Sequence, residues 1–306
     1  MDLSVNVAGI RMKNPVMPAS GCFGCGEEYL GLVDPSSLGA IVMKGVTLLP
    51  RAGNEQPRLV EVFGGIINFI GLQNPGVEVI IRDKIPIARR FNVPVIVNIS
   101  GNTAEEYEQM AQRLDGVEGV AALEVNISCP NIKHGGVAFG QDPEIAFSIT
   151  QSVRGRTSLP VIVKLTPNVT NIVSIAKAVA SAGANAISLI NTLKARARIK
   201  NYPSKGRWRW VEGGLSGPCI KPIALRMVSD LAKANLGIPI IGMGGISNFD
   251  DALDFFESGA DAIAIGTAVF VNPNVFREVI EGLKKYLAEN GFASFEEWKQ
   301  KTRKPS

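Results

Sequence analysis

The chain has 306 residues, 46% of them hydrophobic, with a net charge of +4, four cysteines and a single histidine, His134. No apolar run reaches the ~18 residues needed to span a bilayer, and residues 1–10 have neither a basic nor an apolar leader region, so a cytoplasmic location without membrane contact is expected. One histidine excludes histidine-rich metal sites, four cysteines are too few for a disulfide frame, and so mild a charge does not by itself suggest nucleic acid.

In chain order, residues 3–7 and 10–13 flank Ala8-Gly9 and predict a small N-terminal β-hairpin, placed to close a barrel floor. Eight short apolar, β-rich runs follow, at 15–19, 40–46, 93–100, 122–128, 160–167, 186–192, 238–245 and 262–268. Strands this uniformly apolar suit a parallel sheet covered on both faces. Amphipathic helical patterns lie among them, at 103–114, 143–154, 168–182, 218–234, 250–258 and 274–289. Alternation of this kind, eight strands long, predicts a (β/α)8 TIM barrel. The doubly wound open sheet is the rival, but it usually has fewer strands. No linker, low-complexity tract or charge block divides the chain, so residues 1–306 are read as one domain.

Most of these strands end in polar or glycine residues. Lys44-Gly45 ends the second, Asn98 the third, Asn126 the fourth, Lys164 the fifth and Asn191-Thr192 the sixth. Gly244-Gly245 and Gly266-Thr267 end the seventh and eighth. Barrel enzymes carry their active site on that face, and the last two loops often bind phosphate. Glycine there lets backbone N–H groups approach an anion, although tight βα turns also need glycine. No strand-coupled fingerprint for a nucleoside triphosphate or dinucleotide is present. Cys129 follows the fourth strand between Asn126 and Asn131, where a thiolate can act as nucleophile or general base; a free cysteine is usually just a small buried residue, but the flanking asparagines tilt the balance toward chemistry. Residues 131–142 contain Gly135, Gly136 and Gly140 and suit a lid, in which His134 is read as a loop residue rather than a catalytic one. Lysines at 44 and 164 can stabilise an anion or the negative charge developing on a reduced ring.

Three segments carry a specific resemblance: Asn126-Ile-Ser-Cys-Pro-Asn131, Asn68-Phe-Ile-Gly-Leu-Gln-Asn-Pro-Gly76 and Gly213-Gly-Leu-Ser-Gly-Pro218. Together they resemble the dihydroorotate dehydrogenase family over nearly the whole chain. Asn131-Ile-Lys-His-Gly-Gly136 is more similar to the class 1B catalytic subunit than to class 1A, and cysteine at the base position is the class 1 pattern. The resemblance implies oxidation of (S)-dihydroorotate to orotate in de novo pyrimidine biosynthesis, with flavin mononucleotide (FMN) across the barrel mouth. It implies that Gly244, Gly245, Gly266 and Thr267 hold the FMN phosphate, with Gly217 nearby. Ser20, Lys44, Gly45, Asn98, Asn126, Lys164 and Ile190 would line the rest of the cofactor. Substrate contacts would come from Lys44, Asn68, Ile70, Gly71 and Leu72 on one side, and from Asn126, Asn131, Asn191 and Thr192 on the other. The catalytic residues would be Cys129, taking the C5 proton as the C6 hydride passes to flavin N5, and Lys164, near the pyrimidine end of the ring. Electrons would reach NAD+ through a partner subunit carrying FAD and a [2Fe–2S] cluster, in a heterotetramer with a homodimeric core.

Two segments depart from the family pattern. Cys22-Phe-Gly-Cys25 hints at redox or metal chemistry, but one pair cannot supply four ligands, so small residues packed under the flavin and no metal site are expected. Residues 194–209 carry Lys194, Arg196, Arg198, Lys200, Lys205, Arg207 and Arg209 with no acid among them, interleaved with Tyr202, Trp208 and the adjoining Trp210, and are read as a solvated loop beside the site. The competing functions are a fumarate-using class 1A enzyme, a dihydrouridine synthase acting on transfer RNA, which the basic segment favours, and a non-catalytic barrel that binds an anionic metabolite.

Overall fold

The computed structural model describes residues 1–128, 139–199 and 209–303. It opens on an antiparallel hairpin of β1 (Val5–Val7) and β2 (Ile10–Met12), turned at Ala8 and Gly9, both at positive φ. Two successive positive-φ residues give the tight turn whose twist matches that of the strands. Alternation buries Val5, Val7, Ile10 and Met12 and leaves Asn6 and Arg11 exposed. Asp2 pairs with Ser294, beyond the end of the last long helix, which puts the hairpin at the barrel floor.

The predicted barrel strands all form: β3 (Val16–Pro18), β4 (Ile41–Val42), β7 (Val95–Ile99), β8 (Val120–Asn126), β9 (Val161–Lys164), β10 (Ala186–Leu189), β13 (Ile240–Met243) and β14 (Ala262–Ile265). They make one parallel sheet in the order β3-β14-β13-β10-β9-β8-β7-β4. The ends meet where the Gly39 N–H, just before β4, donates to the Val16 carbonyl at 2.8 Å. The result is a (β/α)8 TIM barrel.

The predicted helices also form, several behind a side-chain cap. Thr103, Asp142, Asn171 and Asn248 accept backbone N–H bonds at the starts of Ala104–Leu114, Pro143–Arg154, Ile172–Ser181 and Phe249–Glu257. Lys221–Ala234 and Val275–Glu289 complete the predicted set. Phe295–Thr302, which the sequence reading omits, stacks Phe295 on Trp298 and sets both edge-on to Phe256 near the floor.

A second sheet was not foreseen. It contains β5 (Leu59–Val62), β6 (Gly65–Asn68), β11 (Leu193–Ile199) and β12 (Arg209–Ser216), antiparallel throughout, in the order β11-β12-β6-β5. Its strands are inserted after β4 and β10, so the sheet stands at the C-terminal face of the barrel. Residues 193–199 are therefore strand rather than solvated loop. Lys194, Arg196 and Arg198 point outward at every second position, and the Arg196 and Arg198 guanidinium groups lie over the Trp210 ring, at 4.6 and 5.9 Å from its centroid. Among the described residues no helix is long and apolar enough to cross a membrane.

Candidate active site

The strand ends place a polar cluster inside an apolar barrel. Asn98 and Glu124 are cross-strand partners, as are Asn126 and Lys164, and Lys164 and Ser188. Glu124 is buried, and its carboxylate accepts from Asn98 Nδ2 at 2.6 Å and from Ser188 Oγ at 2.8 Å. Lys164 Nζ lies 3.8 Å from the same carboxylate and donates to Ser20 Oγ at 3.0 Å. Asn98 Oδ1 and Ser100 Oγ are buried without a protein partner. Both sit beside Gly45, where a Cβ would come within 2.8 Å of Asn98 Oδ1, so only glycine fits there without a shift.

Next to this cluster, Asn191 Nδ2 donates to Asn126 Oδ1 at 3.1 Å and to Ser128 Oγ at 3.0 Å. The Tyr107 hydroxyl donates to the Asn126 carbonyl, and the Thr192 N–H to Asn191 Oδ1. Cys129 and Asn131 lie outside the described residues, but Ser128 brings the chain to the point where they begin. On the opposite side, Asn68 donates to the Gly214 carbonyl, and the Ile70 carbonyl accepts from Asn54. Gly71 and Leu72, both at positive φ, turn this segment toward Gly45, with Leu72 Cδ2 3.7 Å from where a Gly45 Cβ would be. Lys44 is half-buried; burial first, and then the neighbouring Arg58 cation, hold its ammonium below the ordinary lysine value, against the influence of Cys22. Two close cations at a mouth lined by amides favour an anionic substrate.

The glycines converge on the other flank. Gly217, Gly244 and Gly245 all have positive φ. A Cβ on Gly245 would meet Lys221 Cβ at 2.7 Å and the Gly217 carbonyl at 3.0 Å, so three backbone stretches meet at the start of helix Lys221–Ala234. Gly244 packs against Ile190, and Gly266 is near Ala19 and Cys22. Thr267 Oγ1 donates to Ser216 Oγ at 2.8 Å, adding two hydroxyls. Lys221 binds Asp251, which also accepts from Ser247, and this ties the cradle to the next helix. Glycine backbone, a helix start and hydroxyls suit a phosphate. With Lys164 and two unpaired buried polar atoms beside it, the set fits a phosphate-bearing heteroaromatic group.

Among the described residues, Cys22, Cys25 and Cys219 are free thiols. Burial pushes the Cys22 thiol up to about 11 against the pull of Lys164 and Lys44, and Cys22 lies beside Gly266. Cys25 instead packs against Glu27 and Glu28, and burial together with Glu28 pushes it up to about 11. These three could hold a metal ion by spacing, but the Lys84 ammonium sits 2.5 Å from Glu27. Glu124 and Arg58 escaped the sequence reading, whereas Ser100 and Ser216 lie in segments it singled out. Glu124 did leave a signal: it is two residues from Asn126 in an apolar strand, and so on the same face.

A family model described as "Dihydroorotate dehydrogenase" matches residues 2–287. A protein of Desulforamulus reducens named "Dihydroorotate dehydrogenase B (NAD(+)), catalytic subunit" is 54% identical over 299 residues, covering 97% of both chains. Proteins of the same name from Geotalea uraniireducens and Caldicellulosiruptor saccharolyticus are 51% and 52% identical over 97% of this chain and 96% and 98% of their own.

Proposed function

The chain belongs to the dihydroorotate dehydrogenase family and is an oxidoreductase that converts dihydroorotate to orotate; on that premise we propose how its residues divide the work. Gly217, Gly244, Gly245, Gly266 and Thr267 would hold the FMN phosphate, and Ser20, Lys44, Gly45, Asn98, Asn126, Lys164 and Ile190 would line its ring. When bound, FMN supplies the hydride acceptor, N5, for the C6 hydrogen of the substrate. Lys44 and the amides of Asn68, Asn126, Asn131 and Asn191 hold dihydroorotate, with Ile70, Gly71, Leu72 and Thr192 completing the pocket. Cys129 removes the C5 proton as general base. Lys164 offers its cation to the end of the ring that gains charge on reduction. The observation that carries this reading is the convergence of Lys164, the unpaired Asn98 Oδ1 and the glycine cradle at one barrel mouth.

The relatives are named as catalytic subunits of NAD(+)-linked enzymes, and we infer the same division here. This chain carries no dinucleotide fingerprint, so a partner with FAD and a [2Fe–2S] cluster takes the electrons to NAD+, in a cytoplasmic heterotetramer. Exposed Phe63, Phe270 and Val271 support a docking face at the cradle, since Phe63 adjoins Gly64, which packs on Cys219, and Phe270 follows Thr267. Denaturing the purified protein and identifying the released flavin tests the cofactor. FMN in equal amount to the chain is expected; stoichiometric FAD alone contradicts the reading.

A further inference from the structure

We propose that Glu124 is a positioning residue that fixes the polarity of the flavin site, turning the Asn98 carbonyl toward the imide N–H of the ring and holding Lys164 beside it. The inference rests on the FMN reading above. Glu124 is 3% exposed, in the middle of a barrel strand whose neighbours Leu123 and Val125 are fully buried. A carboxylate in such surroundings needs donors around it. Asn98 Nδ2, Ser188 Oγ and Lys164 Nζ supply them, from three different strands.

With Ser188 Oγ donating to one Glu124 oxygen and Lys164 Nζ beside the other, the carboxylate takes the acceptor role toward Asn98. Asn98 therefore has one permitted orientation, with its NH2 on Glu124 at 2.6 Å and its Oδ1 on the far side of the amide. That oxygen is buried and unpaired, next to Gly45, a residue of the proposed pocket. Such an acceptor calls for a ligand donor. The pyrimidine ring of a flavin has a single N–H, N3, between two carbonyls. Lys164, held by Ser20 and Glu124, then faces the acceptor atoms of the same ring. Exchanging Glu124 for glutamine removes the constraint, because an amide both donates and accepts. Asn98 can then turn over and offer its NH2 to the site, opposite the ring N–H.

The test is a fluorescence titration of the apoprotein with FMN and with N3-methyl-FMN, which lacks the imide hydrogen. The wild type is expected to prefer FMN by about tenfold or more, the size of one buried hydrogen bond. Glu124→Gln is expected to bind FMN more weakly and to shrink the preference below about threefold. A merely loosened barrel weakens both flavins alike and leaves the ratio unchanged. Glu124→Asp keeps an acceptor-only group but draws it back from Asn98, so an intermediate preference is expected, and this variant carries the test if Glu124→Gln does not fold. Equal affinity of the wild type for both flavins overturns the inference while leaving the FMN reading in place. An unchanged preference in either variant overturns it too. Failure of the wild type to bind FMN at all would instead remove the premise.

Discussion

At the scale of single residues, the proposed reaction assigns the base to Cys129, three residues after β8 in the sequence. Cys129→Ala is expected to retain FMN and to slow flavin reduction by dihydroorotate by about 10²–10⁴-fold, the usual cost of losing a general base. Cys129→Ser should be slow near neutral pH and recover partly in alkali, because an alcohol is a much weaker acid than a thiol. Stopped-flow absorbance of the bound flavin reads both, and wild-type rates in Cys129→Ala would remove cysteine from the base role. Cys22 makes a poor substitute base: its thiol is pushed up to about 11, so it is protonated at neutral pH.

At the scale of elements, the cradle depends on close approach of backbones. Gly245→Ala puts a Cβ at positive φ, 2.7 Å from Lys221 Cβ. A loss of about 1–3 kcal/mol of stability and much weaker FMN retention are expected, measured by thermal unfolding and flavin release. Asp251 ties the cradle helix down. Burial works against its charge, but Lys221 and Ser247 outweigh it and hold its carboxyl below the ordinary aspartate value. A depressed folded value means that this contribution is complete above the unfolded value of about 3.9 and is lost as pH falls through the folded one. Asp251→Asn should therefore cost about 2 kcal/mol at neutral pH, with the difference from wild type closing in strong acid. A constant difference across that acid range in denaturant titrations would show that the charge is immaterial.

The same scale explains what the sequence made legible. Barrel strands and helices were readable because burial on both faces leaves unbroken apolar runs, as in Ala262–Ile265, and because helices buried on one face keep an amphipathic period, as in Ala104–Leu114. The second sheet was obscured because its pairing is non-local. Asn68 meets Gly214 from far along the chain, and nothing near either residue announces it. The alternation of Lys194, Arg196 and Arg198 with Ala195 and Ala197 carries a strand period, but charge at every second position is equally compatible with a solvated loop. Site residues at strand ends were readable from their polarity. Glu124 was not, since its role appears only once Asn98, Lys164 and Ser188 arrive from neighbouring strands.

At the scale of the whole molecule, the proposed division of labour separates oxidation from electron delivery. The isolated chain should reduce artificial dyes with dihydroorotate and fail with NAD+. Phe63→Asp, on the exposed rim, should lower NAD+-linked turnover of the assembled complex several-fold while dye reduction persists, as loss of an interface anchor predicts. Equal effects on both acceptors would place Phe63 outside the docking face. Efficient reduction of fumarate would point to class 1A behaviour. The most direct test of the account is stopped-flow mixing of the FMN-loaded chain with dihydroorotate, with and without the partner subunit and NAD+. The flavin should bleach in the chain alone, and NADH should form only when the partner is present. An unbleached flavin, or rapid NADH formation by the chain alone, would contradict it.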